Sequence, residues 1–118
     1  VLRIRRDDGP DILTFVEAGG LARSGLNGAG LALTANYLEC ERDYRQEGVP
    51  LSLLRRKALE QEHVALAFRV LYATPKSASN NLMLSHRDGW AVDIECAPDE
   101  SFVIHPDGGL LIHANHWV

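Results

Sequence analysis

Apolar and charged residues alternate over Val1-Leu2-Arg3-Ile4-Arg5-Arg6, the period-two pattern of a strand with one face toward a core. Gly9-Pro10 interrupts the pattern. Residues 11–18 resume it with Ile12, Thr14, Phe15 and Val16, a β-branched and aromatic run that predicts a second strand closing a hairpin on the first. Gly19-Gly20 breaks the chain, a short extended piece covers 21–25, and Asn27-Gly28-Ala29-Gly30 is a turn signal. Residues 30–38 are apolar at nearly every position, which predicts a strand buried on both faces, with Asn36 its one strongly polar side chain.

The period then changes. A charged loop covers 41–48, and Pro50 stands where the first turn of a helix tolerates it. Leu54 and Ala58, then Val64, Ala67, Phe68 and Leu71, recur at helical spacing, with Arg55, Arg56, Glu60 and Arg69 on the other sides. Two helices are expected, meeting near Gln61-Glu62 and ended by Thr74-Pro75. After a loop at 77–80, strands are predicted over 81–86 and 89–95 around Arg87-Asp88-Gly89, and over 101–105 and 110–113 around Pro106-Asp107-Gly108-Gly109. Leu54, Ala58, Phe68 and Leu71 are expected to pack on a sheet face bearing Val92 and Ile94. Four strands, two helices and four strands, with no βαβ alternation and no repeat, predict an α+β fold with a mainly antiparallel sheet. No internal boundary divides residues 1–118, which read as one segment.

Composition narrows the function classes. The chain has 118 residues, 46% of them hydrophobic, and a net charge of -4. No apolar run approaches the roughly 18 residues of a membrane span, and no cluster of Lys and Arg favours nucleic acid or an anionic membrane. Neither is expected as a partner. The single methionine is Met83, so Val1 is no translation start, and the chain stops on Trp117-Val118; it is expected to be an interior piece of a longer protein. Cys40 and Cys96 are too few for a disulfide framework or a zinc knuckle. They read as buried free thiols of a cytoplasmic protein, a single bridge between them remaining the alternative.

Asn115 stands at the end of a predicted strand between His113 and His116, and Asn36 at the end of another. An amide held there can donate to an oxygen that gains charge during acyl transfer, or it can simply satisfy backbone groups. Spacing alone leaves both open. His113 and His116, with His105 and His86 elsewhere, carry imidazoles suited to zinc. Strand neighbours three apart point to opposite faces, however, so a shared metal is not expected. Cys40 lies between Glu39 and Glu41, and Cys96 follows Glu95 in a core strand, so neither has the setting of a nucleophile. Residues 25–30 lack a phosphate-loop lysine and read as a turn. No cofactor is expected.

Five pieces in order, Gly25-Leu26-Asn27-Gly28-Ala29-Gly30-Leu31-Ala32, Gly48-Val49-Pro50, Ser77-Ala78-Ser79-Asn80-Asn81, Asp93-Ile94-Glu95 and His113-Ala114-Asn115-His116, resemble the acyl-coenzyme A:6-aminopenicillanic acid acyltransferase family. These are also called the C45 cysteine peptidases, within the N-terminal nucleophile hydrolases. The resemblance runs from about Glu17 to the last residue. It implies part of an αββα sandwich in which a self-processed N-terminal cysteine attacks an amide or thioester carbonyl. The free α-amine there serves as base, and water or an amine accepts the acyl group. It further implies that Asn115 is the oxyanion-hole asparagine and that Asn36 lines the nucleophile's pocket. Ser79 and Glu95 match recurrent family positions with no role beyond loop or strand support. The nucleophile would lie upstream of Val1, so the chain alone is expected to be inactive. The parent would take a small acyl-amide or acyl-coenzyme A substrate. Two other readings compete: a non-catalytic module that forms homo-oligomers through exposed strand edges, and a metal-dependent hydrolase using His105, His113 and His116.

Overall fold

A computed structural model describes residues 1–118. Seven strands form one antiparallel sheet in which every strand lies beside its sequence neighbour: β1 (Leu2–Ile4), β2 (Ile12–Thr14), β3 (Gly25–Asn27), β4 (Leu31–Tyr37), β5 (Asn80–His86), β6 (Ala91–Cys96) and β7 (Ser101–Ile104). Between β4 and β5 the chain makes a helical excursion, α1 (Leu51–Leu59) and α2 (Val64–Ala73), and returns to the adjacent position in the sheet. No helix is long and apolar enough to cross a membrane.

Alternation decides which face receives the helices. Leu31 and Leu33 of β4, Leu82 and Leu84 of β5, and Val92, Ile94 and Cys96 of β6 share one face by register. They pack with Leu54, Ala58 and Leu59 of α1 and Ala67 and Leu71 of α2 in a single core. Phe68 packs against that core, its ring stacked on Tyr72 and edge-on to Trp90. The α+β arrangement expected from the sequence, an antiparallel sheet with two helices packed on one face, is present, with the helix faces as predicted.

Local chemistry fixes the ends of the excursion. Thr74 is extended, as a residue before proline tends to be, and α2 stops there. The buried ammonium of Lys76 then donates to Tyr72 O at 3.3 Å, Thr74 O at 2.9 Å and Ser101 Oγ at 3.1 Å, which satisfies carbonyls at the helix end. Val49 and Lys76 form a parallel bridge between the strand-like flanks of the helices. A Cβ on Gly48 would sit 2.2 Å from the Lys76 carbonyl carbon, so this approach requires glycine.

Three expectations are corrected. Residues 30–38 are not buried on both faces: Leu31 and Leu33 are buried, whereas Ala32 is half-buried and Thr34 exposed, because the helices cover one side only. The short extended piece expected over 21–25 joins the sheet only from Gly25 onward, where a Cβ would meet Leu13 O at 2.2 Å. No strand forms over 110–113. Asp107 and Leu110 exchange two backbone hydrogen bonds of 2.9 Å, after which 111–118 leave the sheet and cross its second face, the one opposite the helices. Side chains of the sheet hold that segment in place of a backbone ladder.

Candidate active site

Register places Asn36 of β4, Asn81 of β5 and Glu95 of β6 side by side. All three point to the second face, as does Asp93, two residues before Glu95. Asn81, Asp93 and Glu95 are buried. Asn81 Nδ2 donates to Asp93 Oδ2 at 2.5 Å. Burial pushes the Asp93 carboxyl above the ordinary range; the Asn81 bond and the nearby His113 act against the shift, and Glu95 adds to it.

The C-terminal segment lies over this row. His113 has a fully buried side chain, and its Nε2 is 2.7 Å from Glu95 Oε1 and 3.8 Å from Asp93 Oδ2. The backbone N–H of Val118 donates to the same Glu95 oxygen at 2.7 Å. Asn36 Nδ2 donates to His113 O at 3.0 Å, and Trp117 Nε1 donates to Glu39 O at 2.9 Å. Asn115 is exposed on the arc between these anchors. It therefore does not end a strand, as expected from the sequence, but stands on a bend whose two ends are tied to the sheet. Asn36 is the next-to-last residue of β4, and its amide braces the arc.

The remaining candidates separate. Rings of His113 and His116 stack with centroids 6.4 Å apart rather than facing opposite sides, because the chain there is no strand. His105 is exposed beyond β7, His86 binds Ala29 O at the β5–β6 end, and no three His, Cys, Asp or Glu side chains converge in ligating geometry. Cys40 and Cys96 are both free, and Cys40 is half-buried rather than buried. Cys40 Sγ donates to Asp43 Oδ1 at 3.4 Å, a neighbour the sequence reading placed at Glu39 and Glu41. Burial pushes the Cys96 thiol up, away from the reactive thiolate. A cleft of about 500 Å³ is lined by Lys57 of α1 and by Leu66, Arg69 and Thr74 in and after α2, and Asn115 is not among its lining residues.

The partners of two supporting residues, Ser79 and Glu95, were not foreseen. Burial alone would raise the Asp43 carboxyl, but bonds from Ser79 and Cys40 outweigh it and hold it low. Ser79 N and Oγ reach Asp43 Oδ1 at 2.9 and 2.6 Å, locking the approach to β5. Asp93 and Glu95 carried a signal, acids alternating with Val92, Ile94 and Cys96, but nothing local named His113 as their partner.

The protein-family model described as acyl-coenzyme A:6-aminopenicillanic acid acyl-transferase matches residues 18–118. Among solved structures, the chain is similar to penicillin V acylase from Agrobacterium tumefaciens, with a TM-score of 0.59 and 21% identity over 81% of this chain and 32% of that one. The chain thus spans about a third of that protein's length, and the likeness shows a shared fold. No curated protein matches. With the family match covering all but the first hairpin, the chain belongs to the acyl-coenzyme A:6-aminopenicillanic acid acyl-transferase family.

Proposed function

We propose that this chain supplies the oxyanion-binding part of a cysteine amidohydrolase or acyltransferase acting on small acyl-amide or acyl-coenzyme A substrates. The nucleophile, an N-terminal cysteine with its α-amine as base, lies outside these residues. The carrying observation is Asn115, exposed on an arc fixed at both ends, in the position the family motif gives the oxyanion donor. When the thiolate attacks the carbonyl carbon, the C=O π electrons move to oxygen, and an amide N–H already aimed at that oxygen stabilises it without reorganising. Collapse expels the amine or thiol, and water or an amine then takes the acyl group from sulfur. Asn36 lines the same pocket and braces the arc through His113 O. The free thiols support a reducing, cytoplasmic setting.

The decisive experiment is Asn115→Ala in the processed full-length enzyme. It should lower kcat about 100- to 1,000-fold with KM little changed. Near-normal kcat in a folded, processed variant would leave Asn115 a surface residue without a catalytic role. Pairing with another copy is also proposed, since β1 and β7 are sheet edges and Leu13, Leu26 and Phe102 are about half exposed on the second face. Light scattering should show a dimer or larger species; a monomer at high concentration contradicts it.

A further inference from the structure

We propose that Glu95 is the positioning residue for Asn115, holding both ends of the arc 113–118 through a single carboxylate oxygen. The proposal rests on the reading of Asn115 as oxyanion donor. Glu95 Oε1 lies 2.7 Å from His113 Nε2 and 2.7 Å from Val118 N. Both contacts are short enough for bonds to a charged acceptor. The carboxylate is buried and the His113 ring is fully buried. A buried carboxylate is tolerated only when it is hydrogen-bonded, and here Oε1 is engaged by the two positions that flank Asn115.

The base of the clamp is rigid. Glu95 sits on β6 between Asn81 of β5 and Phe102 of β7, inside the sheet rather than at its edge. The arc itself has no ladder to the sheet, so its shape depends on these side-chain ties. Asn36 bonds the His113 carbonyl and Trp117 reaches Glu39 O, but only Glu95 connects the start of the arc to its end. Without it the two halves of the arc move independently, and the Asn115 amide no longer waits at the oxyanion. A misplacement of about 1 Å in a group that must meet developing charge costs about 100-fold in rate. Because two other ties survive, loss of Glu95 should cost less than loss of Asn115.

The test is a set of variants of the processed full-length enzyme, read by kcat and KM separately and by thermal unfolding. Glu95→Ala should lower kcat about 10- to 100-fold with KM within about twofold. Glu95→Gln, which retains an oxygen able to accept from both donors, should return kcat to within about fivefold of the parent. Introduced into Asn115→Ala, Glu95→Ala should change kcat by less than about threefold, since the group it positions is gone. Val118→Pro removes the second donor while leaving Glu95 and His113 untouched. This variant, followed by thermal unfolding as well, should lose about 3- to 10-fold in kcat, again without effect in the Asn115→Ala background. Should Glu95→Ala fail to fold, Val118→Pro decides alone. Unchanged kcat in Val118→Pro, or losses from Glu95 and Asn115 that multiply, would overturn the positioning role. A normal kcat in Asn115→Ala itself would instead remove the reading beneath it, so the two failures are distinct.

Discussion

Asn27 is the polar residue whose removal should cost the fold most. It is buried at the β3–β4 turn, where its Oδ1 accepts from Ala29 N and Leu31 N, both at 3.0 Å. Its Nδ2 crosses to the end of α1 and donates to Leu59 O at 2.9 Å and Gln61 O at 2.8 Å. These are carbonyls that a helix terminus leaves without an internal partner. Asn27→Ala deletes four hydrogen bonds at once. A net value of about 1 kcal/mol for each, with some return of water to the turn, gives a loss of about 3 to 4 kcal/mol. That is a large part of the roughly 5 to 15 kcal/mol of an ordinary domain. Asn27→Asp keeps the two acceptor bonds but turns an oxygen toward two carbonyls; it should be at least as damaging at neutral pH and partly recover when the carboxyl is protonated and can donate. Urea unfolding followed by tryptophan emission reports the change as a shift in midpoint at constant slope. A loss below about 1 kcal/mol in Asn27→Ala would refute the claim that this side chain fastens the sheet to the helices.

Gly48→Ala should cost about 2 to 4 kcal/mol, because its Cβ would meet the Lys76 backbone at 2.2 Å. Gly89→Ala, with φ +91 but open space around it, should cost only about 1 to 2 kcal/mol by the same unfolding measurement. Burial raises the folded-state pKa of Asp93 above its ordinary 3.8, so the folded chain binds more protons than the unfolded one in that window. The group's contribution to stability is complete below that value and lost as pH rises through the raised pKa. Asp93→Asn should therefore flatten the fall in urea midpoint across that rise, and an unaltered pH profile would contradict it. The isolated chain should turn over neither acyl amides nor thioesters; activity abolished by Cys40→Ala or Cys96→Ala would place a nucleophile within it.

What the sequence made legible follows from how far each contact reaches. The helix pair, its buried face and the stop at Thr74-Pro75 depend on neighbours within a turn or two, and they stand where periodicity put them. The β5–β6 hairpin is equally local. Once Asp88-Gly89 is the turn, counting outward pairs Asn81 with Glu95 and Met83 with Asp93, so the acidic part of the site follows from the turn alone. Asn36 is different, because β4 and β5 are joined through two helices, and no turn fixes the register that sets Asn36 beside Asn81. His113 is further still from prediction. Leu110, Leu111 and Ile112 form an apolar run that reads as a strand, yet Leu110 and Ile112 are exposed, since the chain is captured by Glu95, Asn36 and Glu39 rather than by a backbone ladder. Such capture leaves no periodic trace. The family motif could mark Asn115, but how the arc is held is visible only once the sheet brings residues 36, 95 and 113 together, and that arrangement makes Glu95 more than a strand support.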